Sequence, residues 1–351
     1  MKSVWFLIPG DPDTRTGGYL YDRRIMAGLA ALGWRVELRR LDASFPRPTP
    51  AALSEADEVL AALPERVLAV IDGLALGAMP AVAAAWRDRL RLVALLHHPL
   101  ALETGLDDRV SRQLHASERE ALRHVRQVIV TSPSTARVLL SDYEVAPERC
   151  VAIPPGTDPA PLAEGSGGGV LELLCVASLT PRKGHAVLFH ALARLKQHPW
   201  RLFCAGSERL HPPTAALLRN LATELDLTER IEFLGELDAA ALATRYRRAD
   251  AFVLPSHHEG YGMALAEALA RGLPIVSTTA GAIPDTVPAD AGLLVAPGNE
   301  AALTEALARV MTEPGLRGRL ATGARAARQS LPAWPETCAR FAAALDAVPA
   351  A

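Results

Sequence analysis

Residues Ser256–Pro274 read SHHEGYGMALAEALARGLP, and two carboxylates in this stretch, Glu259 and Glu267, stand eight positions apart across a Gly-containing turn and a short Ala-rich helix. Glu259 precedes the helix and Glu267 lies inside it. The apolar run AFVLP just upstream and PIVST just downstream have the length and composition of buried strands, so the whole piece is a β-α-β unit of a parallel sheet. Ligands of such sheets sit beyond the carboxyl ends of the strands. At the turn, Gly260, Tyr261, Gly262 and Met263 offer backbone N–H groups with little steric cover. The positive end of the helix dipole adds to them, so a phosphate fits there. Glu267 would lie roughly 6 Å beyond the first turn, at about 1.5 Å per residue, within reach of a hydroxyl on whatever carries the phosphate.

Upstream, VLELLCVAS, the loop LTPRKG, helix AVLFHALARLK, strand RLFCAG, a helix through LLRNLATELDL and strand IEFLG alternate as a doubly wound sheet should. Nearer the N-terminus, strand VWFLIP, the loop GDPDTRTGGY, a helix to about Leu32 and strand GWRVELRRL open a second β-α-β series. It continues through one helix after FPRPTP, the buried strands RVLAVIDG and RLRLVALLHHP, a helix from about Asp107 to Val125, QVIVTSPS, a helix over STARVLLSDY, and RCVAIPPGTD. Gly165–Gly169, reading GSGGG, has linker composition. Two α/β domains are therefore expected, over residues 1–164 and 165–332, with an amphipathic tail at about 333–351.

Composition agrees with two cores: 351 residues, half of them apolar, exceed what one core usually serves. A net charge of −2 with no dense basic run gives no nucleic-acid surface. The four cysteines are widely spaced and form no C-x-x-C pair, which argues against zinc or a disulfide framework and for a reducing cytoplasm. MKSVWFLIPGD holds too short an apolar run for a signal core or an integral membrane segment, and it reads as the first strand.

Glu259 and Glu267, with RIEFLGEL, YRRADAFVLPSHHEG, GLPIVSTTAGAIPDTV and AGLLVAPGNEAALTEAL around them, resemble the E-x7-E signature and flanks of the retaining glycosyltransferases of family 4. The resemblance implies the GT-B fold, two facing Rossmann-like doubly wound domains with an interdomain cleft, whose final helix, here beginning near Trp334, crosses back to the first domain. It implies transfer of a sugar from a nucleotide-diphosphate donor with retention of configuration, no cofactor and no metal ion. Glu267 then binds the ribose hydroxyls, and Glu259 positions or polarises, since such enzymes are thought to need no protein nucleophile. Gly17 and Gly18 complete diphosphate and acceptor contacts.

A departing diphosphate needs converging cations and N–H groups. Lys183 in LTPRKG is the best cation, with Arg182 beside it. Similar proteins usually carry an Arg five residues before that Lys, where this chain has Ser178; a hydroxyl donates one neutral hydrogen bond in place of an ionic pair. Either Arg182 or Arg15, from the first Gly-rich loop, then supplies the second charge, or Lys183 and backbone act alone. His97, ending the strand RLRLVALLHH, resembles the His placed near the transferred sugar, with His98 as the alternative because a strand alternates faces. A His pair with no nearby Asp or Cys in sequence is poor evidence for metal.

Three rivals are weaker. A dinucleotide oxidoreductase needs G-x-G-x-x-G after a strand, which neither half supplies. A non-catalytic sugar-nucleotide binder is motivated by Ser178. A phosphorylase of related fold would carry a Lys-bound pyridoxal phosphate site that this sequence does not show. The base, sugar and acceptor are not legible, and peripheral membrane contact stays open although no clustered basic helix favours it.

Overall fold

The computed structural model describes residues 2–349 and divides into two compact units. The first takes the chain to Gly156 together with the C-terminal segment from Pro332; the second is Thr157–Leu331.

In the first unit the elements are β1 (Ser3–Pro9), α1 (Gly17–Ala31), β2 (Arg35–Leu41), α2 (Pro50–Ala61), β3 (Leu68–Asp72), α3 (Gly73–Leu76), α4 (Pro80–Trp86), β4 (Arg91–Leu96), α5 (Asp108–Leu122), β5 (Gln127–Val130), α6 (Pro133–Asp142) and β6 (Cys150–Ala152). The strands form one parallel sheet in the order β2-β1-β3-β4-β5-β6. Strand β3 is buried at every residue and β4 at all but its first, the pattern of parallel strands covered on both faces. Local chemistry starts the helices: Thr16, Thr49, Asp107 and Ser132 each accept a hydrogen bond from the N–H three residues on. The short helices α3 and α4 fill the connection between β3 and β4, each too short for its sequence to show a helical period.

The second unit runs β7 (Leu171–Val176), α7 (His185–Ala193), β8 (Trp200–Ala205), α8 (Pro212–Glu224), β9 (Ile231–Gly235), α9 (Ala239–Arg248), β10 (Ala251–Leu254), α10 (Met263–Ala270), β11 (Ile275–Thr278), α11 (Ile283–Thr286), β12 (Gly292–Val295), α12 (Glu300–Thr312) and α13 (Pro314–Ala327). Its sheet is parallel, in the order β12-β11-β10-β7-β8-β9. Counted within the unit this is 6-5-4-1-2-3, the doubly wound order whose direction reverses between β7 and β10. Trp200, Phe189, Tyr246 and Phe252 are fully buried in its core. The last helix, α14 (Trp334–Ala347), packs on α1: Cys338 lies against Gly28, Phe341 stacks near Phe6 at 6.2 Å, and Arg24 sits 5.3 Å above the Trp334 ring.

The GSGGG segment is not the boundary that its composition suggests. Its neighbours are tied down onto the second unit: Ala163 N–H donates to Arg271 O (2.8 Å), Glu164 N–H to Arg247 O (2.8 Å), and Ser166 N–H to Asp250 Oδ1 (3.2 Å). The division falls at Gly156/Thr157, eight residues earlier than the expected 164/165.

Glu118, 1% exposed on α5, accepts the Leu100 N–H at 3.0 Å and so anchors the segment that follows β4. Burial pushes its carboxyl up to about 8 from an ordinary 4.5. The folded state thus binds this proton more tightly than the unfolded state does. The contribution of Glu118 to stability is therefore fully present below about pH 4.5 and is lost as pH rises toward 8. Glu118→Gln keeps an acceptor for Leu100 and removes the charge. Urea unfolding should show it close to the parent at pH 4 and more stable, on the order of 3 kcal/mol, at pH 8; equal pH slopes would refute this.

Candidate active site

The neighbours β7 and β10 bring the turns that follow them side by side. After β7, Pro181–Lys183 forms a single 3-10 turn closed by Gly184 in the left-handed region at φ +71°. A Cβ there would overlap the carbonyl oxygen of Pro255, so only glycine lets this turn lie on the end of β10. The result is a buried charge cluster. Lys183 Nζ donates to Glu259 Oε1 at 2.6 Å, Ser256 Oγ donates to the same oxygen at 2.6 Å, and Arg182 stands 3.6 Å from Glu259 Oε2. Arg182 also donates to His258 O (2.9 Å) and accepts His257 N–H at its carbonyl (2.7 Å), so it turns inward rather than to water. Burial alone would raise the Glu259 carboxyl, but the charges of Lys183 and Arg182 and the hydrogen bonds outweigh it and hold it down at about 2. The Lys183 and Arg182 side chains keep 17% and 18% of their surface, enough for a ligand to reach them.

Behind Glu259, its carbonyl accepts the Ala282 N–H at 2.9 Å, beside Gly281 at φ +56°. Ser178 follows β7 and accepts the Thr180 N–H at its carbonyl (2.8 Å).

Helix α10 begins at Met263 after Gly262, which is left-handed at φ +87° and brings no side-chain cap. The N–H groups of Met263 and Ala264 therefore have no side-chain cap, while Leu265 N–H already donates to Gly262 O at 2.9 Å. Gly260 and Tyr261 precede it, the carbonyl of Tyr261 held by Thr286 Oγ1 at 2.7 Å. Glu267 is the fifth residue of the helix, just past its first turn, half-buried, its carboxyl raised above the ordinary value chiefly by burial. Its Oε2 accepts Tyr246 OH at 3.0 Å. In the second unit, Ser256 and Tyr246 are the residues that sequence reasoning missed. Ser256 stands at the head of the quoted motif, and Tyr246 is the single aromatic of α9.

In the first unit, Gly17 opens α1 after the Thr16 cap, and Arg15 lies exposed just before it. Gly18 faces the His97 ring, which a Cβ at that position would touch at 3.0 Å. His97 Nε2 lies 3.1 Å from Asp22 Oδ1 and 3.6 Å from Asp72 Oδ2. Burial works against a charged His97, yet the two carboxylates prevail and its pKa stands above the ordinary value. Asp72 is pushed up to about 7, first by burial and then by Asp22. These contacts correct the reading of a His pair without acids: the fold delivers two, from α1 and the end of β3, and the three ligand atoms lie within 4.8 Å of one another, close enough to hold a metal ion. His98 instead pairs with Glu103 at 3.4 Å.

Two family models match consecutive stretches of the chain: residues 36–161 match "Glycosyltransferase Family 4" and residues 163–327 match "Glycosyl transferases group 1". Among relatives, an MMP alpha-(1->4)-mannosyltransferase of Mycolicibacterium hassiacum is 26% identical over 270 residues, 73% of this chain and 65% of that protein. The chain spans between 54% and 65% of the length of the curated relatives it matches. In structure it is similar to sucrose-phosphate synthase from Thermosynechococcus elongatus (TM-score 0.83, 22% identity, 98% of each chain). It is also similar to Anabaena HepE solved with UDP-glucose (TM-score 0.78, 17% identity, 99% and 100% covered). At these identities the structural likenesses show the fold, two parallel α/β units of the GT-B class. Among the described residues no helix is long and apolar enough to cross a membrane.

Proposed function

The chain belongs to the family 4 glycosyltransferases, and we propose that it moves a sugar from a nucleotide-diphosphate donor to an acceptor hydroxyl, with retention at the anomeric carbon and without a metal ion. The observation that carries this reading is the Lys183–Glu259 contact at the reversal point of the second sheet, beside the uncapped start of α10.

In the reaction the bond from the anomeric carbon to the diphosphate oxygen breaks and a bond to the acceptor oxygen forms on the same face. The acceptor proton passes to the departing phosphate. Charge therefore builds on the diphosphate, and Lys183 and Arg182 are the cations for it, with the N–H groups of Gly262 and Met263. Glu259 fixes the ammonium of Lys183 and needs no nucleophilic role. Glu267 takes the ribose. His97, with Gly17, Gly18 and Arg15, serves the transferred sugar and acceptor from the first unit. Arg182 supplies the second positive charge that Ser178 does not, which favours a working enzyme over a non-catalytic binder. No nucleic acid enters this reading, and four free cysteines suit a cytoplasmic location.

The test is a thermal screen of UDP-, GDP-, ADP- and dTDP-sugars in EDTA, since a donor at 100 times its Kd adds about 2.7 kcal/mol of stability. Turnover of the stabilising donor in EDTA is expected; a requirement for metal would overturn that part and direct attention to Asp22, Asp72 and His97. Glu267→Ala should weaken donor binding by about 10- to 100-fold, the worth of a hydrogen bond to a charged acceptor. Unchanged affinity by calorimetry would remove Glu267 from the ribose.

A further inference from the structure

Glu267 has three rotatable bonds and lies only half-buried on a helix of 8 residues, so its carboxylate needs something to aim it. Tyr246 is fully buried, 21 positions away on α9, and its hydroxyl donates to Glu267 Oε2 at 3.0 Å. The carbonyl of Ala264 lies further off, at 3.4 Å, and a carboxylate is the stronger acceptor. The Tyr246 ring is itself clamped. The Arg271 guanidinium lies 4.1 Å from its centroid on one side, and Phe252 stacks at 6.0 Å with 14° between the planes. Arg271 also donates to the Glu267 carbonyl at 2.8 Å, which ties the clamp to the turn of α10 that carries the carboxylate.

We infer that Tyr246 is a positioning residue for ribose recognition: it holds one oxygen of Glu267 so that the other faces a ribose hydroxyl of the nucleotide. The inference rests on the reading of Glu267 as the ribose ligand. Among the described residues Oε1 accepts no hydrogen bond, whereas Oε2 does, so the carboxylate has one anchored and one available oxygen. A freely rotating carboxylate would lose affinity on ordering; one already held by a clamped ring loses less. Tyr246, Phe252 and Arg271 are not among the groups assigned to the diphosphate, so the expected effect belongs to the sugar of the nucleotide.

The experiment is a cycle between the protein and the ligand. Calorimetry with UDP, GDP and ADP selects the tightest base, and its 2′-deoxy and 3′-deoxy diphosphates are then compared with the parent. In the unaltered protein, loss of the recognised hydroxyl should weaken binding about 10-fold or more. Tyr246→Phe keeps every ring contact and should shrink that ratio at least about three-fold, with parent affinity falling and deoxy affinity little changed. Phe252→Leu, which loosens the ring but leaves its hydroxyl on Glu267, should lower the melting temperature and shrink the ratio less than Tyr246→Phe does. An unchanged ratio in Tyr246→Phe, or an equal loss in Phe252→Leu, overturns the inference. Glu267→Gln separates the two levels. If it abolishes the ratio while Tyr246→Phe does not, Tyr246 merely packs and the ribose reading stands; if neither variant moves the ratio, the ribose reading falls and the inference with it.

Discussion

Lys183→Ala is expected to slow release of nucleoside diphosphate from the donor by about 10²-fold or more, because it removes the cation placed where leaving-group charge develops. The fall should appear in kcat. A near-normal kcat with a raised KM would assign Lys183 to uniform binding of donor and transition state. The same substitution strands Glu259, which is 6% exposed and loses its 2.6 Å partner. Breaking a buried pair costs about 3–5 kcal/mol, less here because Arg182 remains 3.6 Å away. The pH signature separates this from simple loss of packing. Glu259 is depressed to about 2 from 4.5, so its contribution is fully present above about pH 4.5 and is lost as pH falls toward 2. Acid unfolding of the parent should carry that slope, and Lys183→Ala should lose most of it. An unaltered acid profile would mean that Lys183 does not hold Glu259 in solution.

Gly184→Ala should be damaging although the added group is one methyl. The residue sits at φ +71°, a conformation that costs a residue with a Cβ about 1–2 kcal/mol. The Cβ would also overlap the Pro255 carbonyl, which is backbone and cannot swing aside, so the turn Pro181–Lys183 must lift. A total of about 2–4 kcal/mol is expected from the guanidinium chloride midpoint, with donor turnover falling alongside as Lys183 leaves Glu259. Gly169→Ala is the control: nothing lies within 4 Å of a Cβ there, and its effect should stay within about 0.5 kcal/mol. Equal behaviour of the two variants would show that the turn does not depend on its glycine.

Regular elements of this protein are legible locally. Strands such as LAVID and AFVL announce themselves as short apolar runs, and α10 is framed by Gly262 before it and Gly272 after it. Lys183, Glu259 and Glu267 are each legible too, but as members of a family pattern. That Lys183 and Glu259 meet across 76 positions depends on β7 and β10 being sheet neighbours.

The sequence by itself determined the alternation of strands and helices, the left-handed glycine turns and the helix caps, because each depends on residues within a few positions of one another. Tertiary structure decided the rest. It ties the GSGGG segment to the second unit, against its linker composition, through backbone donors to Arg247 and Arg271. It brings Asp22 and Asp72 to His97 from 75 and 25 positions away and clamps Tyr246 under Glu267. A buried polar side chain is tolerable only with a partner, and no local period of a sequence records a partner delivered by the order of strands in a sheet.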